Sequence, residues 1–471
     1  MTSESAAPVP PNPWPSPRAG APVRGRVLVP ASKSLTNRHL LLAALADGPS
    51  TVVNPLDSRD SRLMLQALRA LGARVEHIED WEDTGEPAVR ITPLPVAEDG
   101  PGELPAVSID CGLAGTVMRF LPPVAALTGR MVDFDGDPEA RIRPMAAVLD
   151  GLSALGVRIE DPAAPDGGFP DTLPFTVHAQ GGVRGGEIAV DASGSSQFVS
   201  GLLLAAPLMP EGLTLRHTGA QVPSLEHVAM TVQVLREVGV VVDDSVAGRW
   251  RVSPGRPRAF TVRVEPDLSN AGPFLAAAAA TGGEVSVPGW PVESTQIGRR
   301  WQQLLPQFGA EVMTTPETTA GSSSQTVTLT VRGARDEQGH PRVLSPGTVD
   351  GTAELTPTVA ALAALAQDPT TFTSVAHLRG HETDRIAALV TELRRLGAEA
   401  EETQDGLRIL SPVTQGATVR SYADHRMATF AAVIGLRQSG VEIEDIACTA
   451  KTMPTFAQLW SELVAQSAET H

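Results

Sequence analysis

The segment Ala31-Ser32-Lys33-Ser34-Leu35-Thr36-Asn37-Arg38 runs directly into an apolar stretch from Leu40 to Ala46. Small hydroxyl residues, a lysine and an arginine thus precede a helix-like run, where backbone N–H groups have no partner inside the helix. Those groups, the hydroxyls and two positive charges can converge on an anion, which points to phosphate chemistry. The plainer reading is a serine N-cap beside two solvated basic residues, and the rest of the chain decides between them.

Downstream, one order of elements returns six times. An apolar helix leads to a small or polar break, a short apolar strand, a polar loop, a second helix and a stop of the Leu-Gly kind. In the first copy these are Leu40 to Ala46, Thr51 to Asn54, Ser58-Arg59-Asp60 and Ser61 to Gly72, before the strand-like Ala73 to Glu76. The second copy starts at Phe120 and stops at Gly156, the third starts near Gly201 and stops at Gly239, and the fourth runs from Phe274 to Gly309. The fifth runs from near Val359 to Gly397, and the sixth from Phe430 into a helix over Phe456 to Val464. At roughly 70 to 85 residues a copy is too long for a solenoid unit and large enough for a small α/β subdomain. Six copies in 471 residues predict two domains of three, parted near Arg263 to Asp267. The strand-like Arg24 to Val29 precedes the first copy and is expected to pair with the later domain. The proline-rich residues 1–17 read as a disordered or extended tail, and the acidic stretch Glu79 to Glu103 as a loop.

Composition narrows the partners. A net charge of -17 argues against nucleic acid or an anionic membrane surface, which favour a basic footprint. Cys111 and Cys448 stand far apart without metal-ligand spacing, so neither a disulfide framework nor a zinc site is expected, and a reducing cytoplasm fits. No apolar run reaches the ~18 residues of a membrane helix.

The polar loops of the repeats hold the unusual residues. Asp110-Cys111-Gly112-Leu113-Ala114-Gly115-Thr116-Val117-Met118-Arg119 is a glycine-bearing loop entering a helix, where backbone can approach a ligand. Ser193-Gly194-Ser195-Ser196-Gln197 has the same form with hydroxyl and amide donors. His381-Glu382-Thr383-Asp384-Arg385 and Tyr422-Ala423-Asp424-His425-Arg426-Met427 put both signs of charge at helix starts, and Cys448-Thr449-Ala450-Lys451-Thr452-Met453-Pro454 adds a lysine. Caps and local ion pairs explain each one taken alone. Glu354 stands by itself beside an apolar helix and, if partly buried, could exchange protons.

Taken jointly, S-K-S-x-x-x-R, A-G-T-x-M-R, S-S-Q-F, E-T-D-R, D-H-R-M-A and C-T-A-K-T-x-P resemble the 5-enolpyruvylshikimate-3-phosphate synthase family of enolpyruvate transferases, over about residues 18 to 465. The resemblance implies an α/β fold of two domains, each of three βαβαββ-type repeats forming an inside-out α/β barrel. They would span 32–264 and 18–31 plus 265–471, with crossovers near 30–33 and 263–267. It also implies transfer of the enolpyruvyl group of phosphoenolpyruvate to the 5-hydroxyl of shikimate 3-phosphate, by addition and elimination, with no metal and no organic cofactor. A cytoplasmic monomer is expected, with glyphosate as inhibitor because Gly115 leaves the phosphoenolpyruvate pocket uncrowded.

By the same resemblance Lys33, Ser34, Arg38, Ser195, Ser196, Gln197, Ser224, Glu354, His377 and His381 would hold shikimate 3-phosphate. Lys33, Gly115, Arg143, Gln197, Arg385, Arg426 and Lys451 would line the phosphoenolpyruvate side. Glu354, Lys33 and His381 are the expected catalytic residues, Glu354 deprotonating the hydroxyl and Lys33 serving proton transfer at C3. His381, His377, His227 and Leu113 stand where the family commonly has lysine, asparagine, tyrosine and asparagine. The rivals are the related transferase acting on UDP-N-acetylglucosamine, which uses a cysteine and a lysine-asparagine pair, and a non-catalytic anion-binding homologue.

Overall fold

A helix that is apolar all round has to be covered all round, and each repeat of this chain is built on one such helix. The computed structural model describes residues 10–96, 105–162, 164, 168–179, 182–317, 326–380 and 382–469. Among them the α-helices fall into six pairs. Up to residue 264 these are α1 (Lys33–Leu45) with α2 (Arg59–Ala70), α3 (Gly115–Ala125) with α4 (Ala146–Ala154), and α5 (Ser196–Ala205) with α6 (Leu225–Glu237). Beyond it they are α7 (Leu268–Thr281) with α8 (Trp301–Gln307), α9 (Thr356–Ala363) with α10 (Arg385–Arg395), and α11 (His425–Gly435) with α12 (Phe456–Glu469). The first member of each pair is the covered one. Every residue of α7 and α9 is buried, and the exceptions in the others all lie in the first turn: Lys33 and Ser34, Gly115, Gln197, and Arg426. Second helices such as α2 keep a polar face, with Arg59, Arg62, Gln66 and Arg69 exposed.

Each pair belongs to its own small sheet; the βαβαββ order is continuous for the second, third and fifth pairs, the first and fourth take one strand from elsewhere in the chain, and the sixth has three strands among the described residues. Val107–Asp110 and Met131–Asp135 run parallel on either side of α3 in sequence, and Phe175–His178 joins them antiparallel with Arg158–Glu160 outermost. The stops predicted from Leu-Gly hold as backbone geometry: Gly72 takes a φ of 108° just past α2, and Gly156, Gly239, Gly309 and Gly397 are likewise positive. A left-handed residue lets the chain leave the helix while its last carbonyls stay bonded, and only glycine adopts it without strain.

The chain divides into two compact units, Ala31–Val264 and Met1–Pro30 with Glu265–His471, and three sheets belong to each. Each unit has its own apolar core. In the first unit Thr261–Arg263 returns to run parallel to Ser50–Val53, and in the second Arg24–Arg26 runs parallel to Glu284–Pro291.

Two expectations change. Within the supposed acidic loop, Ala88–Thr92 is a strand between Ser50–Val53 and Arg74–Ile78, because Val89 and Ile91 bury one face. Within the supposed tail, Trp14–Pro15 pairs antiparallel with Glu442–Ile443, whose sheet has only Thr418–Val419 besides. Trp14 is 6% exposed, and Ser16 N and Ala19 N donate to Val441 O and Leu436 O at 3.0 Å each. Prolines hold this segment extended, an edge strand tolerates them, and burial of the indole drives the docking. Residues 1–9 lie outside the described residues. Among the described residues no helix is long and apolar enough to cross a membrane.

Candidate functional site

In the unit of Ala31–Val264, one buried arginine aligns four helices. Arg38 donates from Nε to Thr231 Oγ1 at 2.8 Å on α6 and from Nη2 to His227 O at 3.0 Å. It also reaches Ser200 Oγ on α5 at 3.4 Å, lies 5.2 Å from the Phe120 ring centroid on α3, and bonds back to Ser34 O at 3.0 Å. Burial pushes its guanidinium down to about 9. Asn37 Nδ2 adds a 2.6 Å bond to Thr116 Oγ1. The first turns of α1, α3, α5 and α6 are thereby gathered together, and their N–H groups and positive dipole ends favour an anion. Arg38 is one of the residues expected to hold shikimate 3-phosphate, and in this structure its donors meet Thr231, His227 and Ser34.

Around those ends stand the predicted residues. Ser32 caps α1 by accepting from Leu35 N at 3.4 Å, and Lys33 Nζ lies 3.3 Å from Asp60 Oδ2. Ser195 caps α5 by accepting from Gln197 N at 3.2 Å, with Ser196 buried behind it. Ser224, at the cap of α6, holds a φ of 50° and makes no side-chain cap bond. Gly115 opens α3 without a side-chain cap, and a methyl built on it would lie 2.9 Å from Gln197 Oε1, 3.0 Å from Arg119 Nη1 and 3.0 Å from Arg143 Nη2. Arg119 donates to Gln197 Oε1 at 3.1 Å and Arg143 to Leu113 O at 2.9 Å. Burial and the charge of Arg143 push Arg119 down to about 9. Two guanidiniums and an amide thus meet at a bare helix start.

The second unit repeats the theme with carboxylates included. Glu354 accepts from Ser269 Oγ of α7 at 2.7 Å and from Arg426 Nη2 of α11 at 2.9 Å. Arg385 is the first residue of α10 and donates from Nε and Nη2 to Asp424 at 2.7 and 3.1 Å. Burial would lower Arg385 and raise Asp424, but their pairing wins and drives each the other way. Lys451 Nζ donates to Glu382 Oε1 at 2.6 Å, and His425 Nδ1 lies 3.4 Å from Glu382 Oε2. Burial pushes the Glu382 carboxyl up, and His425, Lys451 and Arg385 outweigh it, holding it well below the usual range. His377 is half-buried on the 3-10 turn Ala376–Gly380. His381 lies outside the described residues.

The turn before α11 explains how Asp424 is aimed. Tyr422 and Ala423 sit at φ of 55° and 52°, and Tyr422 Oη donates to the buried Glu392 at 2.8 Å. Asp424 then caps α11, accepting from Arg426 N at 2.9 Å. Glu382, Asp424 and His425 bring three possible metal-ligand atoms within 4.8 Å of one another. Both carboxylates are already turned to Lys451 and Arg385, so this is a charge network.

Sequence reasoning missed Arg119 and Glu382 as site members. Both were visible inside the quoted motifs, but nothing in a linear pattern separates the arginine that touches Gln197 from one that is solvated. It also missed Asp60 as the partner of Lys33.

Two units of three βαβαββ-type repeats, with cationic side chains at gathered helix starts, define the class: the two-domain enolpyruvate transferase fold. A solved EPSP synthase from Acinetobacter baumannii superposes with a TM-score of 0.72 over 97% of both chains at 25% identity. A second structure of EPSP synthase from that organism gives 0.72 at 24% identity, covering 95% of this chain and 98% of its own. The family model described as EPSP synthase (3-phosphoshikimate 1-carboxyvinyltransferase) matches residues 17–460, and the chain belongs to that family. A Kocuria rhizophila protein named 3-phosphoshikimate 1-carboxyvinyltransferase is 53% identical over 453 residues, 96% of each chain. A Mycobacterium ulcerans protein of the same name is 46% identical over 465 residues, 97% of this chain and 99% of its own.

Proposed function

We propose that the chain catalyses transfer of the enolpyruvyl group of phosphoenolpyruvate to the 5-hydroxyl of shikimate 3-phosphate, releasing inorganic phosphate. The observation that carries this reading is the 53% identity, across 96% of both chains, to a relative named for that activity. The side chains supply a chemistry to match. Lys33, Ser34, Arg38, Ser195, Ser196, Gln197, Ser224, Glu354, His377 and His381 serve shikimate 3-phosphate, Arg38 also bracing the helix ends. Lys33, Gly115, Arg143, Gln197, Arg385, Arg426 and Lys451 serve phosphoenolpyruvate, joined by Arg119. Arginine takes phosphate or carboxylate in bidentate fashion and lysine as a point charge.

Glu354, paired with Arg426, is the carboxylate that accepts the hydroxyl proton as the shikimate oxygen bonds to C2 of the enol. Lys33 delivers a proton to C3, making it a methyl group. In the second half C3 gives up a proton, the C2–O bond to phosphate breaks, and the double bond is restored in the product ether. The arginines stabilise charge on the departing phosphate. His381 is kept as an assistant to the proton transfers.

Glyphosate competes with phosphoenolpyruvate in this reading, and the protein is a cytoplasmic monomer. A phosphate-release assay tests the main proposal: turnover should require both substrates. Saturable binding of both with no phosphate release would overturn it in favour of a binding protein.

A further inference from the structure

A cavity of about 490 Å³ opens in the first unit, and α2 is one of its walls. Its volume is that of a small-molecule site. The floor is apolar, with Leu40, Leu56, Leu65 and Val89 each buried. Asp60, which holds Lys33, is not part of the lining. The site is therefore separate from the candidate active-site residues.

The exposed rim carries two charges of opposite sign that have no countercharge among the described residues. Arg62 and Asp57 neutralise one another through two hydrogen bonds of 2.7 and 2.6 Å. Arg69, by contrast, meets only His77 among the described residues, its Nη2 lying 2.9 Å from Nε2. A guanidinium can only donate, so the imidazole nitrogen accepts and brings no negative charge. Glu79 has no hydrogen bond or ion pair among the described residues. It follows His77 by two positions, in the bend just past Arg74–Ile78, and lines the same cavity.

We propose that this cavity binds a free amino acid with an apolar side chain, the carboxylate on Arg69, the ammonium on Glu79 and the side chain on the leucine floor. A simple anion would leave Glu79 opposed to it, and a neutral hydrocarbon would leave both charges idle. Only a zwitterion with an apolar body answers every wall.

Calorimetric titration of the full-length protein with L-leucine and L-phenylalanine, without substrates, tests this. Saturable binding is expected for at least one of them. It should weaken about tenfold or more for the N-acetyl derivative, for the methyl ester, and in Arg69→Gln and Glu79→Gln, each of which removes one charged hydrogen bond. Both variants lie at exposed positions and should fold as the parent does. No saturable heat with either amino acid, or equal binding by the blocked derivatives or by the variants, would overturn the proposal.

Discussion

Replacing Gly115 with alanine separates the candidate pocket from the fold around it. Gly115 is the first residue of α3 and lies outside the set of positive-φ residues, so alanine meets no backbone strain there. Helix propensity alone favours alanine over glycine by up to about 1 kcal/mol. Against this, the new methyl would sit at 2.9 to 3.0 Å from Gln197 Oε1, Arg119 Nη1 and Arg143 Nη2, closer than carbon tolerates. All three are ends of long side chains, so they move while the backbone stays. The movement strains the 3.1 Å bond from Arg119 to Gln197, and losing a hydrogen bond to a charged group costs about 1.5–3 kcal/mol. The KM for phosphoenolpyruvate should therefore rise by about tenfold or more. Glyphosate inhibition should weaken with it, and the thermal midpoint should fall only slightly, because the helix propensity of alanine offsets part of the lost bond. Steady-state phosphate release at varied phosphoenolpyruvate, with a thermal scan of the same sample, reads both quantities. A lowered midpoint with unchanged KM and unchanged inhibition would refute the reasoning, because the methyl would then be acting on the helix and not on the pocket.

Other perturbations reach other parts of the molecule. Tyr422→Phe removes the 2.8 Å bond to buried Glu392, a loss of about 1–3 kcal/mol. It should lower kcat/KM by loosening the turn that aims Asp424 and Arg385, whereas unchanged kinetics would count against that role. Trp14→Ala deletes an indole that is 6% exposed and should cost about 3–5 kcal/mol, seen as a lower thermal midpoint; no shift would mean the N-terminal strand is not docked in solution. Burial, with the charge of Arg38 beside it, pushes the His39 imidazole from 6.5 down to about 4. The unfolded chain then takes up the proton first, so the associated stability of about 3 kcal/mol is intact above 6.5 and is lost as pH falls toward 4. His39→Leu should flatten that part of the stability profile, and an unchanged profile would exclude His39 as its source.

The repeats were legible because their marks are local and chemically extreme. An alanine-rich run such as Leu275 to Ala280 cannot be a surface helix, and a glycine after a leucine or valine, as at Gly239, ends one. The closing strands were not legible, because Ala88–Thr92 has five residues and Trp14–Pro15 two, too few for alternation to stand out beside acidic or proline-rich neighbours. In the site, the motifs marked where charge collects. They carried no sign of which side chain faces inward, since that depends on Thr231, Ser200 and Phe120, far from Arg38 in sequence.

Helix geometry sets how the two cations of one motif stand. Arg38 lies five residues beyond Lys33, about 7.5 Å along the axis and about 140° around it, so the two would approach a shared anion from different sides. Position along the helix also sets how deeply each is buried. Arg38 and Arg119, a turn or more inside α1 and α3, are buried and brace neighbouring helices. Lys33, Arg385 and Arg426 occupy the first two positions of α1, α10 and α11. A cation there opposes the helix dipole and costs about 0.3–1 kcal/mol, a cost with no structural return unless negative charge is brought to it. The chain brings it with carboxylates: Asp60 to Lys33, Asp424 to Arg385 and Glu354 to Arg426. A phosphate or carboxylate arriving at these helix ends must compete with or join those partners, so the affinity of each cation is set by its acidic neighbour as much as by its own charge.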